Sequence, residues 1–268
     1  MTVNNITIQQ CSLFLTFNRL MWQSFFIQPL ANALVFFTNI FGSLGWAIIV
    51  LTVLVRLLLI PLILPTLRSG QKMKELAPAL AKLKNKYGKN KEKLAKAQME
   101  LYKKEGINPL MGCLPNIVQI VILIALFQVF TKVLNPQTQE SLIALLYQGI
   151  SVPAQGINLS FWYLDLAKPD LIGKIPGFFL VLAAVFQFLT TKLSLPQIQV
   201  AQKEAQKTSQ KSDDMTTMMQ KQMVYMMPIM TIFIGLTLPS GVTLYWFIFS
   251  LMGLGQQYLM NSKSRVQI

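Results

Sequence analysis

The sequence predicts an all-α polytopic membrane protein with five transmembrane helices, a cytoplasmic helical hairpin and an N-terminal interfacial helix. Three observations carry that expectation. Apolar residues make up 53% of the 268-residue chain and charged residues only 13%, so a soluble fold would expose too much apolar surface. The apolar residues gather into five stretches near the length that crosses a bilayer. Lysine and arginine gather between those stretches, on one side only.

Residues 1–43 are read as an extracytoplasmic N-terminus. Its apolar run 6–17 lacks a basic leader, which argues against a signal peptide. Cys11 follows the polar run Thr7, Ile8, Gln9 and Gln10 in place of a small-apolar lipoprotein box. The stretch 25–41 is apolar but broken by Gln28, Pro29, Asn32 and Asn39, which suits a helix lying in the membrane interface.

The first span is 44–64, closed by Pro61 and Pro65, with Arg56 near its middle. A charge at the bilayer centre costs roughly 2.5–3.5 kcal/mol on insertion scales, while each flanking Leu, Ile or Val returns about 0.3–0.6. The segment therefore inserts, provided the guanidinium faces protein or water. Arg56 either pairs inside a bundle or lines a polar cavity.

Segment 65–108 carries Arg68 and eleven lysines against four glutamates. Met73, Leu76, Leu80, Leu83 and Tyr87 recur at helical spacing, and Leu94, Ala97, Leu101 and Tyr102 resume it after the turn signal Gly88-Lys89-Asn90. Two short helices joined by a turn make a hairpin, with Pro78 bending the first. Lys72, Lys74, Lys84, Lys86, Lys89 and Lys91 on its outer surface suit anionic lipid, or form a solvated charged face.

The second span is 110–133, followed by an extracytoplasmic loop, 134–174. The third span is 175–195 and a cytoplasmic loop, 196–222, follows it. The fourth, 223–239, contains Pro228 and is short, so either its methionine-rich N-terminal flank joins it or the bilayer thins there. The fifth is 241–259, and 260–268 is a basic cytoplasmic tail. Basic loops on the cytoplasmic side place the N-terminus outside and the C-terminus inside, in the plasma membrane.

Histidine is absent and Cys11 and Cys113 are far apart in sequence. Metal, thiol and triad chemistry are therefore not expected, nor is a cofactor. All ten acidic residues fall in loops. Polar residues within the spans are few: Thr52 one turn before Arg56, Asn116 with Gln119, Gln187 with Thr190 and Thr191, and Thr243, Trp246 and Ser250. Each serves as interhelical glue, worth about 0.6 kcal/mol on average, or together they wall a hydrated cavity around an arginine with no acidic partner in any span. Seven of the fourteen methionines lie between Met215 and Met230. Met223, Met226 and Met230 belong to this group, a surface able to re-pack around many partners or ordinary helix packing.

Several motifs in order resemble one family. They are Gly45-Trp46-Ala47-Ile48-Ile49 leading to Val55-Arg56-Leu57 and Pro61, the lysine-rich hairpin, and Asn108-Pro109-Leu110-Met111-Gly112-Cys113-Leu114-Pro115. Phe161-Trp162-Tyr163-Leu164-Asp165-Leu166, Pro169-Asp170 and Gln187-Phe188 follow. Met226-Met227-Pro228, Pro239-Ser240-Gly241 and Leu244-Tyr245-Trp246 complete the set. From about Trp22 onward the chain resembles the YidC/Oxa-type membrane-protein insertases, in the five-span form without a large extracytoplasmic domain. It departs from the family pattern at Val121, where a proline is common.

The resemblance implies a groove open to cytoplasm and lipid and closed outside, lined by Arg56, Gln119, Gln187 and Trp246. It implies a greasy slide on the third and fifth spans, where Phe247 lies. It further implies insertion and chaperoning of nascent membrane proteins, with the Sec translocon and the ribosome as partners, no enzyme activity and no sequence-specific nucleic-acid binding. The rival reading is a small-solute or anion transporter or channel using Arg56 as its binding site; no internal repeat favours it.

Overall fold

The computed structural model describes residues 20–87, 90–106, 114–134, 139–194 and 215–266. Cys11, Arg19, Lys89, Cys113, the motif at 108–113 and the basic stretch 196–214 lie outside the described residues. Helix α1 runs Leu20–Phe41, with a π-helical turn at Gln23–Ile27. Gly42, at φ 67°, closes it with a left-handed cap whose N–H donates to the Thr38 carbonyl at 2.8 Å. Helix α2 spans Leu44–Glu75, α3 Ala77–Tyr87, α4 Lys91–Lys104, α5 Leu114–Leu134 and α6 Gln139–Ile143. Two antiparallel hairpins follow, β1 (Ser160–Phe161) with β2 (Leu164–Asp165), and β3 (Leu171–Ile172) with β4 (Ile175–Pro176). Helices α7 (Phe178–Ser194), α8 (Met215–Gly235) and α9 (Ser240–Val266) complete the chain.

By length and composition, three stretches of the described residues are long and apolar enough to cross a membrane: Leu20–Phe41, Leu44–Leu62 and Ile117–Leu134. Shorter apolar helices cover Phe178–Leu193 and Val224–Gly235. The first of the three long stretches includes the segment read above as interfacial, and begins five residues earlier. The methionine-rich flank does join α8, whose 21 residues rise about 31 Å at 1.5 Å each.

The prolines act differently from the sequence expectation. Pro61 and Pro65 lie inside α2 and do not close it. Each removes one helical N–H, but opening the backbone in an apolar setting would strand several more polar groups. The chain breaks instead at Leu76, so 71–75 extends α2. Pro78 then falls in the first turn of α3, where a missing N–H costs no intrahelical bond. Within the stretch read above as the third span, the helix starts later than the stretch itself. Residues 171–176 pair as β3 and β4, and helix begins at Phe178.

Two units divide the chain. The first holds residues up to 51, 119–169 and 239–242. Its interior is built from Leu34, Val35, Leu44, Ile48, Val129, Phe130, Leu142 and Leu166, all buried. Asn32 ties α1 to the segment after α6: its Nδ2 donates to the Leu145 carbonyl at 2.9 Å and its Oδ1 accepts from Tyr147 N–H at 2.6 Å. Gly45 has no side chain because the Phe161 ring occupies that space. Ser240 and Gly241, at the start of α9, donate their N–H groups to the carbonyls of Lys168 (2.7 Å) and Leu166 (3.2 Å). Those donors would otherwise be orphans of the helix end. Beside them, Lys168 and its hydrogen bond hold the exposed Asp165 carboxyl below its usual range, with Ala167 N–H helping.

The second unit holds residues 52–118, 170–238 and 243 onward. Helices α7 and α8 pack closely, and Gly235 on α8 makes room for the Leu180 side chain. Asp170 is fully buried. Its Oδ2 accepts from Leu180 N–H at 2.8 Å, in the first turn of α7, and its backbone carbonyl accepts from Gly177 N–H at 2.8 Å. Thus a carboxylate from the β3 side caps α7, where the helix dipole favours negative charge. Helices α3 and α4 also pack on each other. Asn90 caps α4 by accepting from Lys93 N–H at 3.0 Å, and Leu94 is buried.

Candidate functional site

Arg56 sits on α2 in the second unit, with only 7% of its surface exposed. Its Nη2 donates to the Phe249 carbonyl of α9 at 3.1 Å. The guanidinium carbon lies 3.6 Å from the centre of the Phe249 ring, a stacked cation–π contact. Its Nε is buried and makes no hydrogen bond to the described residues. A guanidinium has five N–H donors, so this partial satisfaction leaves hydrogen-bonding capacity in a low-dielectric setting.

Thr52, one turn before Arg56, is buried. Thr243 on α9 is also buried, and its hydroxyl has no hydrogen-bond partner among the described residues. Trp246 is half-buried. The Gln187 Oε1 lies 2.6 Å from the Thr231 hydroxyl, which also lies 3.0 Å from the Met227 carbonyl. One hydroxyl proton serves only one acceptor, so turning the Gln187 amide to present its NH2 satisfies both contacts.

The remaining expected residues fall in different surroundings. Gln119 belongs to the first unit and its side-chain oxygen is buried. Asn116 lies on α5 and Met223 on α8, with side chains outside the description. Met226 and Met230 are about half exposed, and with Ile229 and Phe233 they form an apolar stripe along α8. Phe247 packs among aromatic rings instead, 5.1 Å from Phe179 and 5.8 Å from Phe186. Lys72 and Lys86 are exposed, while Lys74, Lys84 and Lys91 lie on the helices around them. The one ion pair seen in α4, Lys96 with Glu92 at 3.0 Å, is fully at the surface, where such pairs contribute little. Burial pushes the Tyr102 phenol up.

Three residues on these helices were not singled out by sequence. Thr231 carries the contact to Gln187, Gln257 is buried on α9, and Gly253 lies against the Arg56 guanidinium. The signal for the last two was present. Continuing the spacing of Thr243, Trp246 and Ser250 along one helical face lands on Gly253 and Gln257.

The model of the family described as 60Kd inner membrane protein matches residues 36–267. The chain belongs to this family. Within the 60Kd inner membrane protein family it is similar to Membrane protein insertase YidC 1 of Listeria monocytogenes serotype 4b (strain F2365). The two are 33% identical over 246 residues, covering 90% of this chain and 72% of the relative. Membrane protein insertase YidC 2 of Bacillus anthracis is 30% identical over 245 residues, covering 90% and 81%. Membrane protein insertase YidC of Campylobacter jejuni subsp. jejuni serotype O:2 (strain ATCC 700819 / NCTC 11168) is 31% identical over 240 residues, covering 90% of this chain and 38% of that longer protein.

Proposed function

We propose that this chain is a membrane-protein insertase, working through a hydrated groove in which Arg56 attracts the polar or acidic tail of a nascent membrane protein. One observation carries the reading. Arg56 is an arginine buried in a long apolar helix, held among the described residues by one carbonyl and one aromatic face, with Nε making no hydrogen bond to them. Membership of the family and the insertase names of its relatives support the same function.

The physical steps are few. A tail entering the groove exchanges bulk water for a cationic site and its accompanying water, which lowers the cost of taking it partway into the bilayer. The apolar segment that follows then leaves along exposed apolar helix faces into lipid. Transfer of that segment to hydrocarbon supplies the driving force, so no nucleotide is consumed. Gln119, Gln187, Thr52, Asn116 and Trp246 are assigned to the groove, and Met223, Met226, Met230 and Phe247 to the adaptable or sliding surface. The lysine-bearing helix pair α3–α4, with five spans and N-terminus outside, is assigned to the cytoplasm. There it receives substrate and meets anionic lipid, the ribosome and the Sec translocon. Folding assistance after insertion belongs to the same proposal.

The test is insertion of a short single-span protein with an acidic tail into proteoliposomes. Arg56→Ala is expected to abolish insertion and Arg56→Lys to preserve it. Alanine inserting as well as wild type would overturn the role of the charge. Anion flux through the same vesicles in the absence of substrate would favour a transporter instead.

A further inference from the structure

An arginine buried in a membrane helix needs a seat, and here the seat depends on an atom that is missing. In an α-helix each Cα–Cβ bond tilts toward the N-terminus, so the side chain at one position screens the carbonyl four residues earlier. The carbonyl that receives Arg56 belongs to Phe249, and the residue four positions later is Gly253. A Cβ at Gly253 would stand 2.8 Å from Arg56 Nη2 and 3.7 Å from Thr190 Cγ2. Gly255, two residues further along the same helix, faces nothing within 4 Å.

We propose that Gly253 is a positioning residue for the groove. By lacking a side chain it bares the Phe249 carbonyl, so that Nη2 and the ring of Phe249 hold the guanidinium in one place and orientation. That placement commits one edge of the guanidinium to α9. Small residues in membrane helices commonly allow close packing of two backbones. At Gly253 the space is instead filled by the tip of a charged side chain. The inference rests on the Arg56 reading above and adds to it the residue that sets where the charge is held.

The substitution that tests it favours the helix. Alanine exceeds glycine in helix propensity by about 0.8–1.0 kcal/mol, so Gly253→Ala removes the seat without weakening α9. The full-length protein in proteoliposomes is expected to insert the acidic-tailed substrate about tenfold more slowly as Gly253→Ala, the factor carried by about 1.4 kcal/mol of one charge-assisted hydrogen bond. Gly255→Ala is expected to match wild type. Lysine has no Nη2, so Arg56→Lys keeps the charge and the insertion that depends on it, but at about the rate of Gly253→Ala, and adding Gly253→Ala to it is expected to change nothing further.

An independent readout follows from the ring. The chain has four arginines, and the Arg56 Nε–H signal in an arginine-labelled NMR spectrum carries the ring-current shift of Phe249. Gly253→Ala is expected to move that signal and Gly255→Ala to leave it in place. An unmoved signal, or undiminished insertion by Gly253→Ala while Arg56→Ala is inactive, overturns the seat and leaves the groove standing. Equal loss from Gly253→Ala in the wild-type and Arg56→Lys backgrounds also overturns it, because the glycine then serves packing alone. Full insertion by Arg56→Ala removes the seat together with the groove reading.

Discussion

Asp170 and Arg56 are both charged, both buried and both in the second unit, yet they are held in opposite ways. Asp170 lies against the first turn of α7, accepts from Leu180 N–H and fills the space that a side chain at Gly177 would need. Its charge is matched by fixed backbone donors at a helix end. Arg56 is held by one carbonyl and one ring face, and its Nε points at no acceptor among the described residues. The contrast separates a carboxylate that caps a helix from a guanidinium whose donors are only partly paired among the described residues. A buried group that is fully satisfied rigidifies its surroundings, whereas a partly satisfied one costs stability and persists for another reason.

That comparison is sharpened by substitutions that pull stability and function apart. The largest effect is expected at Arg56, in the proposed groove: Arg56→Ala abolishes insertion while the protein remains folded in detergent, as thermal unfolding would show. Next, Gly177→Ala forces a methyl into the Asp170 carboxylate. It should destabilise the protein by about 1–3 kcal/mol, the usual cost of overpacking, lowering the melting temperature whether or not a substrate is present. A smaller change of opposite sign is expected from Arg56→Leu. Removing an under-satisfied buried charge should raise stability by about 1 kcal/mol, while insertion is lost. If Arg56→Leu instead melts the protein as readily as Gly177→Ala does, the distinction between the two charges collapses.

The smallest effect lies outside the apolar helices, at the exposed pair Asp165 and Lys168. A carboxyl whose pKa is depressed in the fold stabilises it above the unfolded pKa, and this is lost as pH falls through the folded value. Lys168 is raised by the same contact, so its contribution is lost only as pH rises through its alkaline folded value. Lys168→Ala should therefore lower the melting temperature slightly at neutral pH, with the difference from wild type vanishing as pH falls through the folded value of Asp165. A difference that grows as pH falls would contradict the assignment.

Much of this architecture was legible because its signals are local. Arg56 is conspicuous in an apolar run, Asn90 is a cap by position, and the α3–α4 pair follows from periodicity. Other features depended on distant partners. Nothing near Gly253 in sequence announces Arg56, and nothing near Asp170 announces that it caps a helix eight residues on. Phe247 was read as part of a sliding surface, whereas its lodging among Phe179 and Phe186 depends on where α7 lies. The prolines misled for a physical reason. Pro61 and Pro65 break helices in water, where freed carbonyls find solvent, but an apolar environment makes a continuous helix the cheaper outcome.

That continuity gives α2 a mechanical character. From Arg56 to Glu75 is nineteen residues of unbroken helix, a rod of about 28 Å. Its compliance is concentrated where Pro61 and Pro65 leave the carbonyls of Leu57 and Pro61 without their helical donors. A push or twist applied near Glu75, beside the lysine-bearing helix pair, reaches the arginine through a lever with two soft joints. The helix pair at one end and the arginine at the other are thereby joined along a single element, with no loop between them to absorb motion.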